Sequence, residues 1–133
     1  MTTKDYELII IGAGPSGLTS GIYAGRAGLN SVILEKFFSG GQVLLTDSIE
    51  NFPGFPKGIQ AQTLIENISS QVKDVGVEIK QEEVIKIINN NQYKIIKTEN
   101  FEYRTKALII ATGANPKRIN VKGEKELTSK GVS

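Results

Sequence analysis

Three glycines and one acid carry the first chemical signal in this sequence. Gly12-Ala13-Gly14-Pro15-Ser16-Gly17 is a G-x-G-x-x-G turn, and Glu35 follows it by about twenty residues. The turn comes straight after the apolar run Leu8-Ile9-Ile10-Ile11 and before residues of helical pattern. In that setting Gly12 lets the chain turn sharply off a strand. Gly14, without a Cβ, lets a pyrophosphate approach the backbone, and Gly17 lets the helix lie close to the sheet. Free N–H groups and the positive end of the helix dipole at the first helical turn, around Pro15 and Ser16, favour an anion there. Glu35 closes a second apolar run, Ser31-Val32-Ile33-Leu34. A carboxylate at that point accepts both hydroxyls of an adenosine ribose and repels a ribose phosphate. The pattern therefore reads as a site for a dinucleotide without a 2′-phosphate, and a glycine-rich turn in an ordinary α/β protein is the plainer alternative.

The rest of the composition narrows the chemistry. The chain has 133 residues with no Cys and no His. That removes disulfides, thiolate nucleophiles, the usual zinc sites and imidazole acid–base catalysis, so no catalytic residue and no metal ligand is assigned. Any redox chemistry has to come from a bound cofactor. With 39% hydrophobic and 23% charged residues the chain is globular. A net charge of +2 is too balanced to argue for nucleic acid or an anionic membrane. No apolar run is long enough to span a bilayer, and Met1 leads almost directly into the first strand without a secretory signal, so a cytoplasmic protein is expected.

These residues need strands and helices to position them. A strand is expected over residues 6–11, a helix over about 15–27 closed by Gly28, and a second strand over 31–34. Pro15 suits the first helical turn. Gly14, Gly17, Gly21 and Gly25 recur at three- and four-residue spacing as a smooth ridge, at a cost of about 1 kcal/mol each in helix propensity. A second helix is expected over 59–75, with Ala61, Leu64, Ile65, Ile68, Val72 and Val75 as its apolar stripe. Residues 77–104 read as an antiparallel ribbon inserted in the frame, its lysines Lys86, Lys94 and Lys97 solvated. Ala107-Leu108-Ile109-Ile110-Ala111 reads as a further buried parallel strand running into Thr112-Gly113-Ala114.

Two segments stay open on pattern alone. Ser39-Gly40-Gly41-Gln42 is either a flexible turn or a glycine loop against which a flat ring system lies. Ala111-Thr112-Gly113 is either a plain strand-to-loop turn or backbone presented at the carboxyl edge of the sheet, where ligands bind in open α/β sheets.

Together, and in this order, the glycine turn with Glu35, Gly40-Gly41-Gln42, Glu50-Asn51-Phe52-Pro53-Gly54-Phe55-Pro56 and Ala111-Thr112-Gly113-Ala114 resemble the N-terminal FAD-binding region of the bacterial low-molecular-weight thioredoxin reductases. The resemblance covers essentially the whole chain. Its more specific parts are the Asn-Phe-Pro-Gly segment and the closing Lys130-Gly131-Val132-Ser133. It implies an α/β, Rossmann-like FAD-binding fold with a parallel sheet and an inserted antiparallel ribbon. It also implies that residues 1–115 are the N-terminal part of a discontinuous FAD domain, and that 116–133 connect toward an NADPH domain. Gly12, Gly14, Pro15, Ser16 and Gly17 would hold the FAD pyrophosphate and Glu35 the adenosine ribose. Gly41, Gln42, Thr46 and Asn51 would lie near the flavin, Val84 would offer backbone groups to the adenine, and Ala111, Thr112 and Gly113 would pass along the cofactor.

The family reaction runs from NADPH through flavin and a Cys-x-x-Cys pair to thioredoxin, in a homodimer. These 133 residues hold no cysteine pair, and the resemblance would place the NADPH domain outside them. The expectation is therefore an incomplete domain, inactive alone, with an uncovered sheet edge. The alternatives are a thioredoxin reductase-like ferredoxin–NADP reductase, which shares the fold without the cysteine pair, and a non-catalytic nucleotide-binding module.

Overall fold

The structure, a computed structural model, describes residues 3–115, 117 and 119–127. The closing Lys130-Gly131-Val132-Ser133 lies outside the described residues, as does part of the connecting segment expected over 116–133. Strand β1 (Thr3–Ile11) runs into helix α1 (Pro15–Arg26), which returns to β2 (Ser31–Glu35). A turn of 3-10 helix (Gly41–Leu45) and a small hairpin of β3 (Ser48–Ile49) with β4 (Ile59–Gln60) lead into α2 (Ala61–Asp74). Then follow β5 (Glu78–Gln81), β6 (Val84–Asn89), β7 (Lys94–Thr98), β8 (Glu102–Ile110) and a short α3 (Glu124–Leu127). The main sheet has the order β5-β2-β1-β8-β7-β6. Its first four strands are parallel, and β8-β7-β6 is an antiparallel meander.

The apolar runs of β1 and β2 are unbroken because both faces of these two strands are covered. Leu8, Ile10 and Ile33 face a core with Leu18, Ala24, Leu64, Ile65, Ile68 and Val72 of the two helices. Ile9, Ile11, Val32 and Leu34 face the opposite way, against Ile96 and Tyr103 of the meander. Each fully buried Ile or Leu contributes about 2 kcal/mol of apolar transfer. The glycine ridge of α1 meets the frame as its spacing predicts. A Cβ at Gly21 would lie 2.7 Å from Ile33 Cδ1, and one at Gly25 would lie 2.7 Å from the Val75 carbonyl oxygen. The helix sits too close to β2 and to the end of α2 for any side chain there.

Four expectations are corrected. The segment at Val77-Glu78-Ile79 does not begin the ribbon. As β5 it joins the parallel sheet, Ile79 opposite Ile33 and Lys80 opposite Leu34, because α2 carries the chain back to the outer edge of β2. The two strands expected at 101–104 and 107–111 are one strand, β8, paired with β1 from Thr3↔Glu102 to Ile11↔Ile110. Asp5 and Arg104, opposite each other in that register, form a two-pronged ion pair at 2.7 and 2.9 Å. The second helix starts at Ala61 because Ile59 and Gln60 pair with Ser48 and Ile49. The end of β8 is also not buried as expected: on its outer side the strand pairs with β7 only as far as Thr105, and Ile110 is 64% exposed.

Glu82 ties the meander back over the sheet. Its N–H donates to the Glu35 carbonyl oxygen at 2.8 Å, while its carboxylate accepts from the Tyr103 hydroxyl at 2.6 Å and the Thr98 hydroxyl at 2.9 Å. Burial, and after it the bond to Glu82, hold the Tyr103 phenol well above its ordinary value of 10.0. The unfolded chain releases this proton near pH 10 and the folded chain keeps it. The contribution is therefore complete below that pH and is lost as pH rises toward the folded value. Tyr103→Phe is expected to cost about 1–3 kcal/mol at pH 7 in urea unfolding followed by circular dichroism. The gap between wild type and variant should stay constant below about pH 10 and shrink above it. A gap independent of pH up to 11 or so would contradict the linkage.

Candidate functional site

The site forms where the carboxyl ends of β1, β2 and β8 meet. Gly12 leaves β1 with φ of 103°, a left-handed backbone that only glycine adopts without strain. Its N–H still bonds the Leu34 carbonyl oxygen at 2.8 Å. A Cβ at Gly12 would run into the Ala111 carbonyl oxygen, and a Cβ at Gly17 would run into the Gly12 carbonyl oxygen. The first helical turn, the turn off β1 and the end of β8 are thus pressed together with no room for side chains. Ala111 is fixed there by its N–H, which donates to Ile11 at 2.8 Å.

Gly14 is different. It caps α1 in an extended conformation, φ −72° and ψ 178°, which any residue can adopt. A Cβ there would meet nothing within 4 Å. Neither backbone strain nor packing within the chain requires glycine at this position, and the space beside it is open. The second glycine loop comes to the same place. Gly40 donates its N–H to the Ala13 carbonyl oxygen at 2.8 Å, and a Cβ at Gly41 (φ 58°) would lie 3.9 Å from Gly14 Cα.

Glu35, at the end of β2, turns its carboxylate back onto the glycine turn. Oε2 accepts the Ala13 N–H at 2.6 Å and Oε1 accepts the Phe37 N–H at 3.1 Å. A carboxylate has roughly four acceptor positions, so two remain for further donors. Both backbone bonds fix the side chain beside the space next to Gly14.

Further along, a cavity of about 580 Å³ is lined by Pro15, Val43, Thr46, Ser48, Ile49, Glu50, Asn51, Phe52 and Leu64. Thr46 and Asn51 therefore share a wall with Pro15, which opens α1. Thr46 donates its hydroxyl to the Ser48 carbonyl oxygen at 3.1 Å, which shapes the loop. Gln42 reaches across to the loop after β8, its Nε2 donating to Asn115 Oδ1 at 2.9 Å. Ser16 lies in the first turn of α1, its carbonyl accepting the Ser20 hydroxyl at 2.9 Å. Thr112 and Gly113 continue from Ala111 along Gly12, with Gly113 at φ 66°. Val84 is not in the cavity. It begins β6 two residues after Glu82, at the Glu35 end of β2.

Sequence patterning did not single out Val43, Ser48, Ile49, Leu64 or Asn115 for the site. Leu64 belongs to a helix stripe that reads as core, and Asn115 touches Gln42 across 73 positions of sequence. The Ala13 N–H is the anchor for Glu35 and has no side-chain signature at all. Among the described residues no group of acids could hold a metal ion, and no helix is long and apolar enough to cross a membrane.

Comparison with known proteins places this geometry. Residues 6–133 match the family described as pyridine nucleotide-disulphide oxidoreductase. The chain is 41% identical over 130 residues to thioredoxin reductase of Bacillus subtilis (strain 168), covering 98% of this chain and 41% of that protein. It is 41% identical over 133 residues to thioredoxin reductase of Ureaplasma parvum, covering all of this chain and 43% of that protein. The crystal structure of thioredoxin reductase from Streptococcus pyogenes superposes with a TM-score of 0.86 at 36% identity, over 95% of this chain and 41% of that one. The chain thus spans about two fifths of the length of the curated relatives it matches and has their Rossmann-like α/β frame. It belongs to the pyridine nucleotide-disulphide oxidoreductase family.

Proposed function

We propose that this chain is the FAD-binding part of an NADPH-dependent thioredoxin-disulfide reductase. The observation that carries the reading is Gly14, a glycine that the fold itself does not require, facing open space beside a fixed carboxylate and a helix N-terminus. A pyrophosphate needs that space and that polarity.

The residues present fit the cofactor. Gly12, Gly14, Pro15, Ser16 and Gly17 would hold the pyrophosphate through backbone and helix dipole. Glu35 would take the adenosine ribose on its remaining lone pairs, and a phosphate on that ribose would be repelled. Gly41, Gln42, Thr46 and Asn51 would flank the flavin ring, at the cavity that Thr46 and Asn51 line. Val84 would offer backbone groups to the adenine from the start of β6. Ala111, Thr112 and Gly113 would run beside the cofactor at the end of β8. FAD supplies hydride and electron transfer when bound, and the residues of this chain would bind it, orient it and hold its pyrophosphate at the helix N-terminus.

The parent protein in this reading is a soluble cytoplasmic homodimer that reduces thioredoxin. Residues 1–115 form the N-terminal part of a discontinuous FAD domain, and 116–133 connect to the part that takes NADPH. The chain has no Cys, so it holds no residue for the disulfide step. The identity to thioredoxin reductases across the whole chain favours this reading over a ferredoxin–NADP reductase or a non-catalytic nucleotide module.

Two variants test the reading through binding. Gly14→Ala should change unfolding free energy by less than about 1 kcal/mol, since the position accepts a Cβ. It should weaken FAD at least roughly tenfold in a flavin-fluorescence titration, because the added methyl occupies the pyrophosphate's approach. Unchanged affinity in a folded variant would contradict the assignment. Glu35→Gln keeps one oxygen for the Ala13 N–H, gives up the acceptor on the Phe37 N–H, and loses the charge that takes the ribose. It should weaken FAD by roughly fivefold or more while leaving FMN, which has no adenosine, unaffected. Equal loss for both flavins would remove Glu35 from the ribose.

A further inference from the structure

The 3-10 turn Gly41–Leu45 has an unusual set of attachments. None of its residues is buried. It is tethered before its start by the Gly40 N–H on Ala13, and after its end by Asp47, whose carbonyl oxygen accepts the Ala61 N–H at 3.1 Å. Gly40 and Gly41, both at positive φ, turn the chain sharply at its near end. Between those tethers, among the described residues, one side-chain hydrogen bond joins the turn to another loop. That bond runs from Gln42 Nε2 to Asn115 Oδ1, at 2.9 Å.

Asn115 sits on a similar arm. The chain leaves β8 at Ile110, is pinned by the Ala111 N–H on Ile11, and then passes Gly113 at φ 66°. Two arms, each turned at a glycine of positive φ, therefore reach toward each other from the ends of β2 and β8 and join at Gln42 and Asn115. The turn off β1 lies at the base of both. A Cβ at Gly12 would strike Ala111, and one at Gly41 would come within 3.9 Å of Gly14.

We propose that Asn115 is a positioning residue for Gln42, and that their hydrogen bond is a strap between the two arms that sets how fast a dinucleotide enters and leaves the groove at Gly14. This rests on the dinucleotide reading of that groove. Both amides are exposed, so the bond adds little to folding and opens readily, as a strap over a ligand path must. The donor is Gln42 and the acceptor is Asn115. Asp at position 115 keeps the acceptor oxygen, and Leu at position 115 removes it at similar size.

The test uses this 133-residue chain with Asn115→Leu and Asn115→Asp. Without ligand, amide hydrogen exchange at residues 41–45 should quicken roughly fivefold in Asn115→Leu and stay near wild type in Asn115→Asp. With FAD, stopped-flow fluorescence should show association and dissociation both rising roughly fivefold in Asn115→Leu while Kd stays within about twofold, with Asn115→Asp restoring both rates. Equal behaviour of the two variants, unchanged exchange at 41–45, or a change in Kd with no change in association rate would each overturn the proposal. A wild-type chain that takes up no FAD would overturn the gating role of the bond in this chain. Accelerated exchange in Asn115→Leu alone would then still establish the strap.

Discussion

The structure depends on one close approach. Gly17, in the first turn of α1, lies against the carbonyl of Gly12, and Gly12 lies against the carbonyl of Ala111. Backbone meets backbone at both contacts, and a single methyl at either would force β1, α1 and β8 apart. This contact brings the N-terminal end of α1 to the carboxyl edge of the sheet. It also sets the end of β8 beside the glycine turn and leaves the loop after β2 free to fold over Gly14. The helix dipole, the Glu35 carboxylate and the two glycine loops converge because three chain segments touch without side chains.

The two structural glycines and the third one have different causes. Gly12 and Gly17 are explained by neighbours inside the chain. Gly14 is explained by nothing inside it. That contrast separates a tight turn from a ligand cradle more sharply than the spacing of the motif does. Glu35 has a double role of the same kind. Its bonds to the Ala13 and Phe37 amides make it part of the architecture, and the acceptor positions left over make it available to a ligand.

Much of this was legible in the sequence, and the gaps have physical reasons. The run Leu8 to Ile11, the glycine turn and the end of β2 at Glu35 are local signals, and the strands and helix form where those signals put them. The pairing of β5 is not legible because a four-residue edge strand has no pattern that names its neighbour. Its partner β2 lies across α2, and the pairing is set by the helix it follows. The continuity of β8 is hidden by Arg104-Thr105-Lys106, a polar stretch just before the apolar run that begins at Ala107, at the point where the outer edge of the strand ceases to pair. The start of α2 is masked because Ile59 and Gln60, which fit the helix pattern, are claimed by a two-residue hairpin with β3. The Gln42–Asn115 bond joins exposed amides far apart in sequence, and no local pattern encodes it.

The central claim is that the loops after β1, β2 and β8 form one dinucleotide groove around Gly14 and Glu35. A ¹⁵N chemical-shift titration of this chain with ADP tests it most directly, since ADP carries the pyrophosphate and adenosine ribose without the flavin. Saturable shifts should concentrate at residues 12–17, at Glu35 and at residues 111–113. Shifts confined elsewhere, such as the groove between Phe38, Leu44 and Ile65, or no saturable shifts at all, would contradict it.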